Sequence, residues 1–166
     1  MIKVTFKDNP VTLLGTQISV GDDAPNFTVL ANNLEEKTLE DYEGKVKLIS
    51  VVPSLDTGVC SEQTKRFNEE ADNLNHVKLL TISMDLPFAQ TRWCGAEGVR
   101  NIETLSDHRD ADFGKKYGVL IKELRLLTRS IFVVDSSNKV TYVQYVEEVS
   151  SHPDYDKALE AARKAK

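Results

Sequence analysis

The chain holds two cysteines in 166 residues, and the first, Cys60, closes the stretch "PSLDTGVC", Pro53 to Cys60. An apolar run, Lys47 to Val52, precedes it, and a polar, helix-prone run, Ser61 to Ala71, follows. A strand that gives way to a loop and then to a helix start is where open α/β sheets carry their chemistry. If a helix begins near Gly58–Cys60 and runs to about Leu74, then Cys60, Thr64, Phe67, Ala71 and Leu74 share one face and Cys60 points inward. In the first turn of that helix the unsatisfied N–H groups and the positive end of the dipole favour an anion. A thiolate is the nucleophilic form of cysteine, and helix N-termini promote it. Thr57 can bring a hydroxyl to the same spot, Pro53 ends the strand and stiffens the loop, and Gly58 admits close backbone approach. The chemistry these types suggest is that of a partly shielded, ionised sulfur. The competing reading is a small buried apolar residue behind an ordinary turn, because free cysteine is among the most buried residue types.

Fewer residues elsewhere have comparable promise. Cys94, in "TRWCGAEG", follows Cys60 by 34 positions, and at that separation sequence alone cannot show that the two sulfurs meet. Pro87, Gly95 and Gly98 flank it without a strong helical stripe, which suits a segment that moves. Arg129, in "TRSIFVVD", shares a strand face with Ile131 and Val133, so a permanent positive charge ends an apolar row. His76, His108 and His152 are scattered, and "SDHRDAD" reads as a solvated loop. A Cys–His hydrolase therefore has little support, and a zinc site lacks ligand spacing. "CGAEG" has neither the setting nor the glycine spacing of a nucleotide loop.

The elements that must position these residues follow a strand-then-helix rhythm. "IKVTF", a turn at "DNP" and "VTLLG" predict an N-terminal hairpin, and "NFTVL" a short strand. "EEKTLEDYEGK" has no strong period and reads as loop or a short helical turn. "LISVV" is apolar throughout, as strands covered on both faces are. "HVKLLTISMD" and "IETLSD" read as strands, "PFAQTRWCGAEG" as a short helix or loop, and "ADFGKKYGV" as a short helix ended by glycine. "TRSIFVVD" and "KVTYVQYV", joined by "SSN", predict a second hairpin. "PDYDKALEAARKAK" is a terminal helix, with Asp154 and Asp156 at its start and lysines at its end. The pattern predicts an α/β domain of three layers with the last two strands antiparallel.

Length and charge narrow the function. At 166 residues one domain, spanning 1–166, is expected, burying roughly 70% of the unfolded chain's surface. Apolar residues make up 40% and charged residues 28%, near the globular average. A net charge of −5 disfavours a general binder of nucleic acid or of anionic membranes, and no window is apolar enough to span a bilayer. The first fifteen residues, with lysines at 3 and 7, do not read as a secretory signal, and two cysteines are too few for a disulfide scaffold. The expected compartment is the cytoplasm.

Pro53, Thr57 and Cys60 match the P-x-x-x-T/S-x-x-C signature of peroxiredoxins. The wider "PSLDTGVC", the N-terminal hairpin and "RWCGAEG" resemble the atypical two-cysteine bacterial subfamily, over essentially the whole chain. The resemblance implies a thioredoxin-like fold with a central mixed sheet flanked by helices. It also implies a thiol-dependent peroxidase that reduces hydrogen peroxide and alkyl hydroperoxides, with the alkyl ones preferred. Cys60 is then the peroxidatic residue, Cys94 the resolving cysteine of an intramolecular disulfide, and Arg129 the active-site arginine. Thr57 orients the peroxide and Pro53 shields the oxidised sulfur. A thioredoxin-type reductant, a homodimer and no metal or organic cofactor are implied as well. Trp93 stands where the subfamily leads one to expect phenylalanine. The alternatives are a thiol–disulfide oxidoreductase on the same fold, which would more naturally carry a cysteine at position 57, and a redox-sensing module.

Overall fold

The computed structural model describes residues 2–166. Strands β1 (Val4–Phe6) and β2 (Asn9–Val11) form the antiparallel N-terminal hairpin, closed by Lys7 and Asp8 at φ 51° and 67°. Two successive left-handed residues give a turn whose twist suits paired strands. The turn therefore falls one to two residues earlier than "DNP", and Pro10 lies within β2, where an edge strand tolerates its missing N–H. The rest of "VTLLG" leaves the hairpin as β3 (Leu13–Leu14).

Next come β4 (Thr28–Leu30) and β5 (Glu36–Thr38), an antiparallel pair followed by a 3-10 turn at Leu39–Tyr42. The segment expected to be loop or a short helical turn contains that turn and also a strand; β5 is a sheet edge, with one residue exposed and two half-buried, and shows no apolar alternation. Strand β6 (Val46–Val51) is buried at every position, as its apolar run predicts. Helix α1 (Gly58–Glu70) carries the chain to β7 (Val77–Ser83), and α2 (Pro87–Glu97) carries it to β8 (Glu103–Ser106). Then follow α3 (Asp112–Lys116), the short strands β9 (Leu120–Ile121) and β10 (Leu126–Leu127), the hairpin β11 (Ser130–Val134) and β12 (Val140–Tyr145), and α4 (Tyr155–Lys164). Asp154 caps α4 by accepting from the Lys157 N–H at 3.1 Å.

The main sheet has the order β12-β11-β6-β7-β8-β4-β5, with β6, β7 and β8 parallel and the other pairs antiparallel. A smaller sheet, β10-β9-β3, uses strands too short for the sequence to announce. On one face of the main sheet Leu48, Ile131 and Val133 pack with Phe67 of α1, Trp93 of α2 and Leu159 of α4. On the other, Ile49, Val51, Phe132 and Val134 meet Phe113, Tyr117 and Tyr145. This is the expected three-layer, thioredoxin-like arrangement. Among the described residues no helix is long and apolar enough to cross a membrane.

Asp107, just past β8, is buried and accepts the Phe113 and Gly114 N–H groups at 3.0 and 2.8 Å, holding the start of α3. Burial pushes its carboxyl up to about 6, against those two hydrogen bonds. A folded-state value above the unfolded 3.8 means that the native protein keeps a proton which the unfolded chain releases. The resulting stability is complete below the unfolded value and is lost as pH rises through about 6. The difference is worth about 3 kcal/mol. In urea unfolding, the stability of wild type relative to Asp107→Asn is expected to increase as pH is lowered from 7 to 4.5; parallel profiles for the two proteins would refute this.

Candidate active site

Cys60 is the third residue of α1 and has no solvent exposure. It shares the helix's inward face with Thr64 and Phe67, as expected, and Leu74 lies beneath them after a 3-10 turn at Ala71–Asn73. Thr57 is the N-cap residue, but its side chain caps nothing: its hydroxyl donates to the Ser54 carbonyl at 3.1 Å. The first-turn N–H groups beside Cys60 therefore keep their capacity to bind an anion. Pro53 is buried at the start of the loop, and Thr57 is exposed at its end.

Arg129 comes from the residue before β11, on the face shared with Ile131 and Val133, and is 2% exposed. Its Nη2 donates to Cys60 Sγ at 3.2 Å, its Nη1 to Gln63 Oε1 at 2.8 Å and its Nε to the Val149 carbonyl at 2.7 Å. Gln63 in turn donates to Ser50 Oγ at 2.7 Å. Of the three acceptors around this buried guanidinium, only the sulfur can become an anion. A buried guanidinium is costly unless its N–H groups are satisfied, and here three acceptors take them at once. Gln63, Ser50 and Val149 are absent from the sequence reading. Gln63 left one signal, a polar residue one helical turn from Cys60 on the inward face.

Cys94 lies in the second turn of α2, half-buried, with Sγ 3.7 Å from Thr104 Oγ1. Burial pushes its thiol up, and the Thr104 contact offsets this in part. Its segment is an ordered helix from Pro87, ended by Gly98 at φ 67°. The two cysteines are not joined by a disulfide here. Between α1's start and α2 lies a depression of about 240 Å³ lined by Thr57, Gly58, Arg92 and Trp93, and an Arg92–Asp56 ion pair at 3.1 Å joins its two sides.

Residues 19–159 match the redoxin family. The chain belongs to that family. It is 68% identical over 159 residues to a thiol peroxidase of Oceanobacillus iheyensis, covering 96% of this chain and 97% of the relative. It is 61% identical over 163 residues to the thiol peroxidase of Bacillus subtilis, covering 98% of each. Among solved structures, a peroxiredoxin-like protein from Aquifex aeolicus superposes with a TM-score of 0.92 at 41% identity, covering 99% of this chain and 97% of that one. Thiol peroxidase from Chromobacterium violaceum gives 0.89 at 26% identity, covering 98% and 96%.

Within this redoxin chain, then, the fold brings Cys60 and Arg129 into contact. Thr57 and Pro53 stand at opposite ends of the same loop. Cys94 sits in a separate seat on α2, with its hydrogen-bond contact on β8.

Proposed function

We propose that Cys60 is the sulfur through which this thiol peroxidase acts; the 3.2 Å contact from Arg129 Nη2 to Cys60 Sγ at an uncapped helix start carries the assignment. The Cys60 thiolate attacks the terminal oxygen of a peroxide, the O–O bond breaks, and the departing oxygen takes a proton to leave as water or an alcohol. Arg129 and the first-turn N–H groups stabilise the charge that moves onto that oxygen. Thr57, whose proton is committed to Ser54, has its oxygen free to accept from the peroxide O–H and orient it. Pro53 shields the resulting sulfenic acid.

Cys94 then attacks the Cys60 sulfenic acid, releasing water and leaving a Cys60–Cys94 disulfide. To form that bond the sulfurs must give up their present contacts, Cys60 with Arg129 and Cys94 with Thr104. A thioredoxin-type dithiol reduces the disulfide by exchange and is itself oxidised. The whole chain acts as one domain, in the cytoplasm and as a homodimer; the subfamily resemblance supports the dimer, and the alkyl hydroperoxide preference rests on the same ground.

The test is Cys94→Ser with one equivalent of peroxide. It should consume that equivalent, leave a dimedone-reactive sulfenic acid on Cys60, and lose thioredoxin-linked NADPH turnover. Full cycling without Cys94, or no sulfenic acid on Cys60, would overturn the mechanism.

A further inference from the structure

Asp85 lies on the link between β7 and α2, and its carboxylate reaches across to the loop that carries Cys60's helix. One oxygen accepts from Ser54 Oγ at 2.7 Å; the other accepts from the Leu55 N–H and from Ser83 Oγ, both at 2.8 Å. Its own carbonyl accepts from Ser106 Oγ at 2.5 Å. The side chain is thus held from the end of β7 and the backbone from the end of β8, and the carboxylate grips the segment that follows β6. The gripped residues are those on which the start of α1 rests, because the Ser54 carbonyl accepts both the N–H and the hydroxyl of Thr57. Hydrogen bonds to a carboxylate are roughly twice as strong as neutral ones.

A second tie on the same loop has a different character. Asp56 pairs with Arg92 of α2, but both side chains are more than half exposed, and such pairs contribute little. That tie joins the loop to the helix that bears Cys94, whereas Asp85 joins it to the sheet. Gln90 adds a contrast within α2: its Nε2 donates to Ser83 Oγ at 3.1 Å, yet its buried Oε1 has no partner. The seat of α2 therefore has an unmet acceptor, and the grip on the loop has none.

We propose that Asp85 is a positioning residue for the peroxide step: anchored to the sheet, it holds the Pro53–Thr57 loop so that Cys60 meets Arg129, which arrives from a different strand. The assignment rests on the peroxidase reading above. It separates the two half-reactions, since Asp85 serves the oxidation of Cys60 and not the approach of Cys94.

The experiment compares wild type, Asp85→Ala, Asp85→Asn and Ser54→Ala by stopped-flow fluorescence of Trp93, the only tryptophan. Cumene hydroperoxide is the oxidant, and iodoacetamide alkylation of Cys60 is followed in parallel. Asp85→Ala should slow the second-order oxidation by about 10- to 100-fold, the scale of a small misplacement of reacting groups. It should leave the first-order disulfide step no slower and accelerate alkylation of the otherwise buried sulfur. Asp85→Asn, which keeps an acceptor oxygen, should rescue part of the loss. Oxidation by Asp85→Ala within twofold of wild type, or equal slowing of both steps, would overturn the proposal. Should Asp85→Ala fail to fold, Ser54→Ala decides: a fall of about two- to tenfold in oxidation alone supports it, and an unchanged rate overturns it. Activity retained in Cys60→Ser would defeat the peroxidase reading itself; an inert Cys60→Ser beside an unaffected Asp85→Ala defeats only the role of Asp85.

Discussion

Replacing Cys60 by serine is expected to abolish peroxide reduction. Serine fits the same buried site and its hydroxyl can still accept from Arg129, so the fold and the peroxide site should survive. What disappears is the atom proposed to be oxidised. Enzymes commonly exceed the uncatalysed rate by about 10⁶-fold or more, and with the reacting atom gone binding alone has nothing to accelerate. Cys94 is no substitute: burial pushes its thiol up, which keeps it protonated, and it has no guanidinium in hydrogen-bond contact. NADPH consumption in the presence of thioredoxin and thioredoxin reductase measures the outcome. The expected rate is that of the mixture without the protein; wild-type activity would show that Cys60 is not the reacting sulfur.

Much of this site was legible because its parts are consecutive. Pro53, Thr57 and Cys60 lie in one loop and one helical turn, so their spacing alone fixes their order around a strand end. Arg129 was legible only as a charge at the end of an apolar strand row, and its contact with Cys60 depends on β11 pairing beside β6. Gln63 and Asp85 are not legible in the sequence, for different reasons. Gln63 looks like any polar residue on a charged helix until Arg129 fills the space beside it. Asp85 follows a buried strand and precedes a proline, which is an ordinary place for a turn residue. The sequence leaves the segment of Cys94 open between helix and loop, since its buried positions are Pro87, Gln90 and Trp93, while Phe88 is 68% exposed. A stripe formed by proline, glutamine and tryptophan does not register as apolar periodicity. The smaller sheet is not legible in the sequence, because two-residue strands carry no period at all.

Arg129→Leu should lower the second-order reaction of Cys60 with peroxide by about 10²- to 10³-fold, the usual cost of losing a donor aimed at developing charge. The guanidinium donates to three buried acceptors at once, Val149 O, Gln63 Oε1 and Cys60 Sγ. Leucine leaves all three without that donor, so a fall in stability of about 1–3 kcal/mol per orphaned acceptor accompanies the loss of rate. Arg129→Lys separates the two effects. It restores a positive charge, but one ammonium on a flexible stem cannot reproduce a planar fork spanning a carbonyl, an amide and a sulfur. Its oxidation rate is expected to fall between those of wild type and Arg129→Leu. Trp93 fluorescence after mixing with peroxide gives the rates, and urea unfolding gives the stabilities. If Arg129→Leu were destabilised yet reacted as fast as wild type, the guanidinium would be a packing element and not part of the peroxide site.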